Sequence, residues 1–109
     1  MLIKTRKNEE TYWVKIYIAG SYETVKQLCS EFCYNKGLCV TVTKTCFVYT
    51  GGEEFGTEIG LINYPRFPQQ SHKIDAIAEE LAIFIMDKMY QMSVLILSPE
   101  ITKWISKKE

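Results

Sequence analysis

Residues Thr11–Gly37, TYWVKIYIAGSYETVKQLCSEFCYNKG, decide the fold. The stretch opens on strict alternation, with Val14, Ile16 and Ile18 on one face and Trp13, Lys15, Tyr17 and Ala19 on the other. That is the period of two expected of a half-buried strand. Gly20 ends the strand. Ser21 can cap a following helix, because its hydroxyl can accept from a backbone N–H that a helix start leaves unpaired. From Tyr22 to Lys36 the period changes to that of a helix, with Val25, Leu28, Cys29, Phe32 and Cys33 in one stripe and Gly37 as a left-handed stop. A strand running straight into an amphipathic helix predicts a helix lying on a sheet.

Downstream, Leu38–Thr43 and Cys46–Thr50 read as β-rich segments, with a bulge or kink expected at Lys44-Thr45. Gly51–Gly56, GGEEFG, reads as a connection of more than two residues, and Thr57–Tyr64 as the returning strand. Gly60 within it predicts a bulge or a close backbone approach. Pro65 and Pro68 push Tyr64 and Phe67 toward extended geometry, which makes a stiff exit from that strand. Ser71 is the expected cap of a helix over His72–Met92. Its main stripe is Ile74, Ile77, Ala78, Leu81, Phe84, Ile85 and Met89, and a second stripe holds Ile83, Met86 and Tyr90 in line with His72. Ser93–Leu97 reads as a buried strand, Ser98-Pro99-Glu100 as a turn, and Ile101–Ser106 as an edge strand carrying Trp104. The order predicts an α+β chain: a two-layer α/β sandwich of the ferredoxin-like βαββαβ kind, with an extra C-terminal strand, in one domain spanning residues 1–109.

Composition narrows the function classes. Thirteen Lys and Arg balance thirteen Asp and Glu, so the chain lacks the positive excess of a general nucleic-acid binder. The charged start MLIKTRKNEE carries no apolar signal core, and the longest apolar run, Leu81–Met86, is far too short to span a bilayer. A cytoplasmic protein with no membrane partner is expected. The cysteines, spaced C-x3-C-x5-C-x6-C, match no paired zinc motif and lie among apolar neighbours, so buried reduced thiols are expected and no metal or cofactor.

Candidate ligand-binding residues concentrate in Thr50–Pro68, TGGEEFGTEIGLINYPRFP. Backbone N–H groups at Gly51 and Gly52, with the Arg66 guanidinium, can hold an anion. Glu53 and Glu54 suit ribose hydroxyls or a pairing with Arg66. Tyr49, Asn63, Tyr64 and Phe67 add phenol, amide and ring, a set that serves a planar polar ligand or a protein interface. Trp13, Tyr17, Tyr49 and Trp104 fall on the sheet face away from the helices, where RNA-recognition domains stack bases; cover by a second subunit or by the terminal strand is the competing reading. The stripe Ile83, Met86 and Tyr90 is the expected self-association surface. No Ser/His/Asp or Cys/His grouping is present, and Glu53, Glu54 and Glu58 need a burying wall before they serve as acids or bases.

The run CVTVTKTCFVYTGGEEFGTEIGLINYPRFP, Cys39–Pro68, resembles a segment of small phage and prophage accessory proteins of unassigned function. The resemblance carries over no catalytic residue. It implies a protein that acts by binding, either blocking a host protein or sequestering a host metabolite or nucleotide signal. The resulting expectation is a non-catalytic, homo-oligomeric accessory protein that binds an anionic, nucleotide-like ligand. The alternatives are a protein-interaction module that inhibits a host factor and a small acid–base enzyme using Glu53, Glu54 or Glu58.

Overall fold

The alternation at the start of the chain becomes β1, Trp13–Ala19, the central strand of the sheet in the computed structural model, which describes residues 1–108. Then follow α1 (Tyr22–Lys36), β2 (Thr41–Tyr49), β3 (Gly52–Ile62), α2 (Ser71–Lys88), β4 (Ser93–Leu97) and β5 (Thr102–Ser106). Strand order is β2-β3-β1-β4-β5 and each neighbouring pair is antiparallel. This is the ferredoxin-like βαββαβ sandwich with an added C-terminal edge strand. Both helices cover one face of the sheet, where Val14, Ile16 and Ile18 meet Val25 and Phe32 of α1 and Leu81 and Ile85 of α2 in one buried cluster. Each of these large side chains contributes roughly 1.5–3 kcal/mol by leaving water. Among the described residues, no element covers the opposite face of the sheet.

Both ends of α1 form as their residues dictate. The Ser21 hydroxyl accepts from the Thr24 N–H at 3.4 Å, and Gly37 at φ 69° donates its N–H to the Cys33 carbonyl. In the N-terminal segment, the Tyr12 hydroxyl donates to the Asp75 carboxylate at 2.7 Å and ties the chain before β1 to α2. The Ser98 hydroxyl accepts from the N–H groups of Glu100 and Ile101 and closes the β4–β5 turn.

Four local expectations are corrected. β2 is one continuous strand with unbroken register through Lys44 and Thr45, because both residues pair normally with Thr57 and Gly56. The β2–β3 turn is only Thr50-Gly51: Tyr49 pairs with Gly52, so Gly52–Gly56 is strand rather than loop. Gly60 makes no bulge and keeps regular pairing with both neighbours; the close approach expected there is that of the Thr41 hydroxyl, which its missing side chain admits. α2 starts at Ser71 after an uncapped Gln70 and ends at Lys88, four residues before the expected Met92.

The second α2 stripe does not form. Met86 is 3% exposed and belongs to the core, because α2 is wedged against both the sheet and α1 and buries a wide arc that includes Ala82 and Met86. Ile83 stays exposed by itself, and Tyr90 lies beyond the helix end.

Candidate functional site

β1 stops pairing with β3 at Gly56, yet β2 and β3 run on together to Tyr49 and Gly52. The result is a two-stranded arm projecting past the end of β1. At its base the chain turns from β1 into α1 through Gly20 (φ 127°), over which the Met89 side chain lies. Gly56 is also obligatory, since a Cβ there would meet the Phe47 ring and the Ile18 carbonyl. Two glycines therefore let three elements come close around the end of β1.

Two recesses meet at this place. One, of about 630 Å³, is lined by Ser21, Tyr22 and Glu23 at the start of α1 and by Lys44, Glu54 and Phe55 at the base of the arm. The other, of about 300 Å³, lies on the uncovered sheet face among Tyr17, Phe47, Tyr90 and Trp104. Both are lined by Ala19, Glu54 and Gln91, so they form one trough bent round the end of β1. The Lys44 and Lys26 ammonium groups lie 5.3 Å and 5.9 Å from the centre of the Tyr22 ring, and Tyr17 and Phe47 meet edge to face at 6.4 Å. Phe55, 78% exposed, offers a ring to the trough rather than to the core. The Glu58 carboxylate, facing the Tyr17 phenol across the β1–β3 pair, raises the phenol pKa, helped by burial.

Ring faces and carboxylates in one trough suit a ligand that joins a flat aromatic base to a positive centre. The ring quadrupole attracts a cation even when that cation has no N–H to donate. Among the described residues, no three or more His, Cys, Asp or Glu side chains are grouped to hold a metal ion.

The sequence-predicted ligand residues do not form one site. Tyr49, Gly51, Gly52 and Glu53 lie at the tip of the arm, whereas Asn63, Tyr64, Arg66 and Phe67 follow the other end of β3. The strand between them has eleven residues, a separation of roughly 35 Å at the rise of an extended chain. A cradle shared by the Gly51-Gly52 turn and Arg66 is thereby excluded. Asn63 acts as a brace: its side chain donates to the Glu10 carbonyl at 2.9 Å and accepts from the Gln69 N–H at 3.0 Å. Arg66 stacks on Phe67 at 5.6 Å, and Phe67 packs on Tyr64 at 6.0 Å. Of the nine, only Glu54 reaches the trough. Tyr22, Phe47 and Phe55 were missed. Phe55 alone left a signal, as an aromatic between Glu54 and Gly56 in an otherwise polar stretch.

No protein-family model matches the chain, and no curated protein matches it in sequence. Solved structures do share its fold. A phage SAM lyase in the apo state superposes with a TM-score of 0.78 at 13% identity, covering 99% of this chain and 98% of that one. A phage SAM lyase in complex with S-methyl-5′-thioadenosine superposes with a TM-score of 0.71 at 12% identity, covering 98% of each chain. The fold is shared with these two phage SAM lyase chains.

Two expectations change with this finding. The phage setting read from Cys39–Pro68 holds in that the structures sharing this fold are phage proteins, but their function is not unassigned. The expectation of a non-catalytic binding protein is overturned, since the chains matching this one along nearly its whole length are named for a lyase activity.

Proposed function

We propose that this chain binds S-adenosylmethionine and cleaves it at the sulfonium, releasing S-methyl-5′-thioadenosine. The observation that carries the reading is Glu54. It places a carboxylate between the recess holding Tyr22 and Phe55 and the ring cluster of Tyr17, Phe47 and Trp104. Adenine has a flat face to stack on Tyr22 or Phe55. The sulfonium is a cation without an N–H, which ring faces and a carboxylate attract and few other groups do. The full-length fold likeness to phage SAM lyase chains, one of them holding the thioadenosine product, supports the same reading.

The chemistry asks little of the protein as an acid or base. When the Cγ–S bond breaks, its electrons go to sulfur, which leaves as a neutral thioether. The substrate's own α-carboxylate can close on Cγ: one C–O bond forms, one C–S bond breaks, no proton moves, and homoserine lactone is the second product. Such a closure depends on positioning, which can supply several kcal/mol of the barrier, about 7–11 in well-oriented intramolecular cases. Glu54 is solvent-exposed, where water competes with it as a base, so this route suits the trough better than proton abstraction. A carboxylate beside the sulfonium favours the charged substrate over a transition state whose charge is fading. Its contribution is therefore to binding rather than to turnover.

Self-association through the uncovered sheet face belongs to the same proposal. Trp104, 67% exposed, stands there with Ile62. A cytoplasmic location fits a substrate made inside cells. Thermal unfolding with added ligand tests the binding step. S-adenosylmethionine and S-methyl-5′-thioadenosine should each raise Tm, as any ligand of the native state does in excess over its Kd. No shift with either at millimolar concentration removes the reading.

A further inference from the structure

α1 and α2 end in similar backbone motifs with different residues at the left-handed position. After α1 that residue is Gly37 at φ 69°, as the geometry favours. After α2 the Gln91 N–H reaches the Met86 carbonyl at 2.9 Å and the Tyr90 N–H reaches the Asp87 carbonyl at 3.2 Å, so the left-handed residue is Tyr90 at φ 56°. Among the described residues it is the one non-glycine with positive φ. A bulky side chain is a real outlier there, because its Cβ crowds the neighbouring carbonyl.

Nothing in the core accounts for this choice. The Tyr90 side chain is 89% exposed and gives the fold no buried contact. Its backbone is nonetheless anchored, because the preceding Met89 is seated over Gly20 at the β1–α1 turn. That anchor leaves Tyr90 among the residues that line the recess with Tyr17, Phe47, Trp104 and Glu54. A strained residue retained at the mouth of a recess points to a role in that recess.

We infer that Tyr90 is a specificity-determining residue, an aromatic lid that closes on the cationic centre of the ligand in the recess of Tyr17, Phe47 and Trp104. The inference rests on the reading that this trough takes S-adenosylmethionine. The recess already offers three ring faces and one carboxylate. A fourth ring from Tyr90 completes an enclosure of the kind that selects methylated cations. The lid discriminates by charge: the sulfonium substrate gains from it, and the neutral thioether product gains little and leaves.

Tyr90→Gly separates this role from a structural one, because the two act with opposite sign. Glycine relieves the left-handed strain, so Tm should rise by about 3 °C while the KM for S-adenosylmethionine rises roughly tenfold. The affinity for S-methyl-5′-thioadenosine should change less than twofold, and Tyr90→Phe should restore the wild-type KM. An unchanged KM in Tyr90→Gly, or equal losses for substrate and product, overturns the inference while leaving the proposed function intact. A wild-type protein that takes neither compound overturns both.

Discussion

Tyr17 of β1 stands directly opposite Glu58 of β3 on the uncovered sheet face, and the carboxylate holds the phenol in its protonated form. A phenol whose pKa is raised by folding adds stability below its unfolded pKa, near 10, and loses it as pH rises through the folded value. Tyr12 is raised too, chiefly by burial and next by its hydrogen bond to Asp75. Tm should therefore be insensitive to these groups from pH 7 to 9 and fall above about pH 10. In Glu58→Gln the Tyr17 phenol should ionise at lower pH, visible as an earlier tyrosinate absorbance step. An unchanged alkaline titration in that variant contradicts the pairing.

The Tyr12–Asp75 bond ties the segment before β1 to α2. Tyr12 is nearly buried, so Tyr12→Phe keeps the packing and loses one hydrogen bond to a charged group, at about 1.5–3 kcal/mol. Urea unfolding should show that loss with an unchanged m value. A midpoint equal to wild type means the bond contributes nothing in solution.

Exposure alone misjudges the thiols. Burial pushes Cys29 up to about 12, and it should resist alkylation until the chain unfolds. Cys46 lies on the exposed arm, yet desolvation first and then the charge of Glu53, whose carboxylate is 3.7 Å away, raise its pKa. Glu53→Gln removes the second of these causes, so Cys46 should react with iodoacetamide several-fold faster at pH 8. A slower or unchanged rate means that Glu53 does not govern the thiol.

The uncovered sheet face makes self-association checkable. Light scattering at tens of micromolar should give a mass of at least twice the monomer, and Trp104→Glu should shift it toward monomer by placing a charge beside Leu95 and Tyr17. A wild-type monomer at that concentration contradicts this part of the account.

The framework was legible where local chemistry decides. Ser21 and Gly37 bound α1 because capping depends on a few adjacent residues, and β1 shows its burial in its alternation. The arm was harder to read, since no layer covers Gly52–Phe55 and polar strand resembles polar loop when neither face is buried. The end of α2 was missed because a tyrosine occupies the position that glycine usually marks. The trough was illegible for another reason. It joins Tyr17, Tyr22, Glu54, Tyr90 and Trp104, which become neighbours only through the strand order β2-β3-β1-β4-β5 and the close approaches at Gly20 and Gly56.

The most direct test of the account is chromatographic measurement of products from S-adenosylmethionine incubated with the purified chain and with Glu54→Gln. Wild type should release S-methyl-5′-thioadenosine and homoserine lactone in equal amounts, well above the rate in buffer. Glu54→Gln should raise KM about tenfold, the loss of one charged contact, with a smaller change in kcat. Thioadenosine formed by the wild type no faster than in buffer would contradict the central claim.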